Sequence, residues 1–163
     1  MVRETAPCPV PMPDYHWTER QFDEMSWHDC HVHALRLVEG EYGAGELVLD
    51  LDYIVEWLCD AETCRFRIVP ATLRFLEVTN LRLSLDYAGP SAAMGPFSIH
   101  AIERRDEPRE RYVAQVWTIA INWPRGEIEF EAKGFEQGAT GAPVMSAAQC
   151  LRADERGSHV EAG

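Results

Sequence analysis

Basic residues are scarce: 15 Lys and Arg stand against 27 Asp and Glu, for a formal net charge of -12 at pH 7. A surface of that sign repels a phosphate backbone and an anionic bilayer alike, so neither nucleic acid nor membrane is an expected partner. Long apolar runs are missing too, and no stretch approaches the roughly 20 residues that cross a bilayer as a helix. Residues 1–17 lack the hydrophobic core of a secretory leader, carry Pro7, Pro9, Pro11 and Pro13, and give Cys8 none of the context of a lipid anchor. Cysteine is sparse and odd in number, with Cys8, Cys30, Cys59, Cys64 and Cys150 in no dense or regular spacing. That usage fits a reducing compartment and makes the cytoplasm the expected location. Cys59 and Cys64 have no second Cys or His pair to complete a zinc site and read as ordinary thiols near a turn. The chain has no Gly-x-Ser-x-Gly elbow, no phosphate-cradling glycine loop and no dinucleotide fingerprint.

Helical periodicity is nearly absent, and what replaces it is a series of extended segments rich in Val, Ile, Leu and aromatics, broken by turn residues. The chain has 163 residues, 46% of them hydrophobic, enough to enclose one sizeable core and little more. We read residues 1–17 as a proline-rich N-terminal segment, 18–135 as a single β-rich domain, and 136–163 as a partly disordered C-terminal segment with a helical turn or two near 146–151. Thr18-Glu19-Arg20-Gln21 is a capping-box pattern that predicts a short helix to about Met25. Strands are predicted over 29–38 and 46–57, joined by a glycine-rich hairpin loop; in the second, Leu47, Leu49, Leu51 and Tyr53 share one face while Asp50 and Asp52 share the other. Pro70 interrupts the next extended stretch and predicts an edge, bend or bulge there. Leu81, Leu83 and Leu85 alternate with Arg82, Ser84 and Asp86 as a half-buried strand, and residues 88–96 form a loop that could cover a site. The charged run 104–111 reads as a solvated hairpin loop, and Trp123-Pro124-Arg125-Gly126 as the turn of a strong hairpin. The expected fold is mainly β: an antiparallel β-sandwich or open barrel of about seven strands with a short N-terminal helix.

One segment carries a concentration of chemistry: Trp27-His28-Asp29-Cys30-His31-Val32-His33. On a strand, Asp29, His31 and His33 share a face, and an H-x-H spacing lets two imidazoles converge on one metal ion. If the first two strands pair, Asp50 and Asp52 approach them and complete a two-His, two-carboxylate set suited to zinc, iron or manganese. The same histidines also share a predicted face with Leu35 and Leu37, which favours packed, hydrogen-bonded rings with no metal. Cys30 falls on the opposite face, against a Cys–His pair. The five tryptophans read as core or cross-strand packing in a sheet protein.

The run Asp29-Cys30-His31-Val32-His33 resembles the first-strand metal signature of amidohydrolase-type and polymerase-and-histidinol-phosphatase-type hydrolases. Those enzymes are larger α/β barrels that need further ligands downstream, where this chain offers only His100 and His159, so their roles are not transferred. Over about residues 26–135 the segments Leu49-Asp50-Leu51-Asp52-Tyr53, Leu73-Arg74-Phe75-Leu76-Glu77-Val78-Thr79-Asn80-Leu81 and Gly126-Glu127-Ile128-Glu129-Phe130 resemble small bacterial β-rich proteins, some of them similar to immunity proteins encoded beside secreted toxins. That resemblance implies a non-enzymatic, acidic binding protein engaging a basic protein partner, with no cofactor. The alternative is a metal-binding protein or metal-dependent hydrolase built on His31 and His33, with zinc or another divalent transition metal.

Overall fold

A computed structural model describes residues 14–89 and 93–157. The proline-rich start, Cys8 and His159 lie outside these residues, as does the centre of the 88–96 loop. The architecture is mainly β and antiparallel throughout. β1 (His16–Thr18) leads into a 3₁₀ helix (Glu19–Glu24), followed by β2 (His31–Glu39), β3 (Gly45–Cys59), β4 (Cys64–Asp86), β5 (Phe97–Pro108), β6 (Val113–Trp123), β7 (Arg125–Glu131), β8 (Gly134–Ala139) and β9 (Val144–Ser146). These make one nine-stranded sheet, two strands more than the sequence pattern predicted. The predicted N-terminal helix is a single short 3₁₀ segment, and its capping box forms as expected, with Thr18 and Gln21 each satisfying a backbone amide.

β4 organises the sheet. One edge pairs with β3 from Cys64 to Val78; the other pairs in turn with β9, β8 and β7. The circuit β4–β3–β2–β5–β6–β7 returns to β4, so the sheet folds over on itself around one core. Pro70 does not break this strand: it sits where the outer ladder changes partner, between Ala71 opposite Ala139 and Ile68 opposite Val144. The bend falls later, at Glu77 and Asn80, whose φ of 51° puts both in the left-handed region, and it lets the second half of β4 turn away to meet β7. The charged run is also strand rather than loop as far as Pro108. Arg105 on β5 and Arg109 just beyond its end reach across β6 to Glu129 and Glu131 on β7, which gives those charges partners within the sheet.

The alternation predicted for β3 holds. Leu47, Leu49 and Leu51 are fully buried and pack with Leu73, Phe75, Trp117, Phe130 and Phe135 in the core. Phe75 makes edge-to-face contacts with Phe130 at 4.7 Å and Trp117 at 5.3 Å, and the Trp117 indole donates to the Ala132 carbonyl. Of the tryptophans, Trp27 and Trp117 are buried, while Trp57 and Trp123 are exposed.

Two expectations are corrected. Cys59 and Cys64, directly opposite in the β3–β4 register, form a disulfide at the hairpin end and are not free thiols. Such bonds persist in oxidising surroundings, so cysteine usage lends no support to a cytoplasmic location. The segment from 136 supplies most of β8 and all of β9 and stays packed to Arg156, with bends and turns and no α-helix at 146–151; residues 158–163 lie outside the described residues. Among the described residues no helix is long and apolar enough to cross a membrane.

The close approach of β7 to β4 yields a test of the topology. A Cβ on Gly126 would sit 2.3 Å from the Ser84 carbonyl oxygen. Gly126→Ala is expected to destabilise the fold by about 1–3 kcal/mol in urea denaturation, because the clash is with backbone that cannot move without breaking the ladder. A neutral result would mean β4 and β7 are not paired in this register.

Candidate functional site

The predicted histidine strand contains a bulge. Opposite β3, Val32 faces Leu51 and Ala34 faces Asp50, which leaves His33 as an extra residue. Because side chains alternate, one inserted residue reverses the faces that follow it. Val32, Leu35 and Leu37 therefore lie on the same side as the buried leucines of β3, and His31 and His33 are freed from the shared face with Leu35 and Leu37 that simple alternation predicted. Asp29 precedes the strand with a φ of 61°. Its carboxylate accepts from Asn122 and Gln149, and its carbonyl accepts from His31 Nδ1 at 3.0 Å.

Asp50 and Asp52 emerge on the outer face of β3, as predicted, but that face is not open to water. The chain after β9 crosses it as a strap, residues 147–157. Asp52 is 0% exposed; it accepts from His33 Nε2 at 2.8 Å and from the Leu151 amide at 2.8 Å, and it is ion-paired with the Arg156 guanidinium. Asp50 accepts from the other arm of Arg156 at 2.5 Å. Arg156 itself is only 8% exposed, so a single buried cation is shared between the two carboxylates. Leu151 joins the apolar core beside this polar knot.

The electrostatics follow from that arrangement. Burial, reinforced by the charge of Arg156, pushes the His33 imidazole down to about 4, so at neutral pH His33 is uncharged and donates Nε2–H to Asp52. Burial also lowers His31. Cys30 lies in the core with its thiol pushed up to about 12, on the opposite face from the histidines as expected. Cys150 approaches His33 Nε2 at 3.9 Å, and burial, then Glu155, raises its thiol as well. A Cys–His–Asp relay needs the acid and the thiol on different ring nitrogens; here both meet Nε2. Neither a thiolate nor a free general base is present in this cluster.

The five residues predicted to hold a metal do not converge. Asp29 is engaged at the strand entrance, His31 bonds to backbone, and Asp50 is taken by Arg156. Among the described residues, the group with ligand atoms within 4.8 Å of one another is His33, Asp52 and Cys150. A metal there would need the Nε2 lone pair that the Asp52-facing tautomer lacks, and would compete with a guanidinium already between the carboxylates. Arg156, Gln149, Cys150 and Asn122 were not anticipated from sequence. The one usable signal for Arg156 was indirect: two carboxylates two apart on one strand face need a countercharge if anything covers them.

No protein-family model, curated protein or solved structure matches this chain.

Removing one member of the buried pair leaves an uncompensated charge. Arg156→Ala is expected to cost roughly 3–5 kcal/mol in chemical denaturation and to open the strap to limited proteolysis, with Arg156→Lys recovering only part because it cannot reach both carboxylates. The His33 ring is held below its unfolded value, so the folded state binds fewer protons between about pH 6.5 and 4. Its contribution is complete above that window and is lost as pH falls through it. Stability measured across pH 7 to 4 is expected to fall less steeply in His33→Gln than in the parent, and identical slopes would remove His33 from the account.

Proposed function

We propose that the protein is a non-enzymatic, acidic binding protein that engages a basic protein partner. The observation that carries this reading is the lining of two adjoining clefts around the β2–β3 turn. Their charged residues are Glu39, Glu41, Glu46 and Glu77, and no Lys or Arg lines either one. Glu46 and Glu77 each hold one base from outside the clefts, Arg74 and Lys133, while Glu39 and Glu41 have no salt-bridge partner among the described residues. Beside them Leu37, Val38 and Tyr42 are exposed, an apolar patch with an acidic rim. With a net charge of -12 behind it, such a surface attracts a cationic protein over a distance before contact.

The polar cluster that suggested chemistry points the other way. Its carboxylates share the Arg156 guanidinium, its imidazole is hydrogen-bonded, and its cysteine is protonated, so it supports a structural role. A protein that neutralises a basic toxin, as immunity proteins do, is one form of the proposed activity.

Affinity should therefore depend on salt. Partner capture followed by titration calorimetry over a salt series is expected to recover a basic protein whose binding weakens steadily as ionic strength rises. A salt-insensitive interaction, or an acidic partner, would overturn the reading. Excess zinc should leave thermal stability unchanged; a rise of several degrees, lost in His33→Ala, would favour the metal-binding alternative instead.

A further inference from the structure

The β2–β3 ladder covers β2 to its end, but the β2–β5 ladder covers only His31 and Val32. Among the described residues nothing pairs with the outer edge of β2 from 34 to 39. Alternate N–H and C=O groups of an antiparallel strand point away from its neighbour, so this edge presents a row of unmatched donors and acceptors. Exposed edges are ordinarily blunted by proline, a bulge or short length. β2 runs six residues beyond its bulge with no proline, and its exposed side chains include Leu37, 62% exposed although it stands opposite the fully buried Leu47. That leucine belongs to the inner face of the sheet and lacks a cover.

We propose that residues 34–39 of β2 form a strand-addition site, which takes an extended segment of the basic partner as one more antiparallel strand. The inference rests on the binding-protein reading above and specifies what the partner contributes. Main-chain bonds to the β2 edge supply affinity, and alternate side chains supply selectivity. Charge sets the direction. Glu39 and Glu41 lie at the C-terminal end of β2, and Arg36 lies upstream. The N-terminal end of an antiparallel segment falls beside the two glutamates, so its basic residues belong there. An apolar residue belongs opposite Leu37, and a polar or acidic one opposite Arg36.

A second copy of the same strand meets these requirements less well. Antiparallel pairing about a two-fold axis keeps side-chain faces matched only when the paired residue numbers sum to an even value. The two longest such registers within 34–39 set Arg36 against Arg36 or Leu35 against Glu39. Neither is complementary.

The test uses the full chain and three synthetic peptides: two lysines followed by alternating valine and threonine, the same residues in reverse order, and the first with glutamates for lysines. The first is expected to bind, by fluorescence anisotropy, about tenfold or more tighter than the other two. In that complex the amides of residues 34–39 should exchange at least roughly tenfold more slowly than in the free protein. The double variant Glu39→Lys/Glu41→Lys should reverse the preference between the lysine and glutamate peptides. Binding of the lysine peptide with unchanged exchange at 34–39 would overturn strand addition and leave the basic-partner reading standing. No binding by any peptide up to about 1 mM would overturn it too, as would a concentration-dependent dimer of the protein alone that protects the same amides. The exchange measurement needs no variant, so it does not depend on any substitution folding.

Discussion

The fold depends on keeping both edges of one long strand paired while that strand changes direction. β4 has 23 residues and borrows partners in succession: β3 along one side, then β9, β8 and β7 along the other. A straight strand of that length would run out of sheet. The left-handed backbone at Glu77 and Asn80 turns it instead, so the same strand belongs to both walls around the core. The hairpin of β2 and β3 ends level with Val78, just before the turn, and the acidic clefts lie at that corner. The C-terminal strap starts from the same strand: β9 docks on the early part of β4, and from there the chain crosses the outer face of β3. The exposed corner and the sealed polar knot are thus two results of one bent strand.

The parts of this architecture readable from sequence were those governed by alternation. Leu47, Leu49 and Leu51 against Asp50 and Asp52 required only a period of two, and the two faces came out as read, although the strap buries Asp52 on the outer one. The capping box at Thr18 and Gln21 and the turn at Trp123-Pro124-Arg125-Gly126 were local chemistry and were equally readable. The charged run of β5 was not, because its charges are matched across an intervening strand, a relation between residues about 20 positions apart in sequence. Nor was the ninefold strand count, since β8 and β9 are short and glycine- or methionine-containing rather than β-branched.

The candidate site failed to be read for a sharper reason. Its first half, His31, His33, Asp50 and Asp52, was found because strand periodicity brings those residues together. Its second half is Arg156, Gln149 and Cys150, in a stretch whose composition suggested a loose tail. Without the buried guanidinium, two carboxylates and two imidazoles look like an empty metal site. With it, the same residues form an ion-paired bracket that fastens the strap to the sheet. The chemistry of a cluster was decided by one side chain more than 100 positions away.

The bulge at His33 bears on how this chain can vary. The residue is supernumerary in the ladder, and the bulge absorbs it so that the later residues of β2 keep their partners in β3. Exchanging the side chain at position 33 alters one hydrogen bond. Removing the position altogether would leave Ala34, Leu35 and Leu37 opposite Asp50, Leu49 and Leu47 as before, in a ladder without a bulge, and would take away the ring that donates to Asp52. The ladder itself therefore needs no residue at this position, and what the bulge adds is an imidazole aimed at Asp52, out of step with the alternation on either side of it.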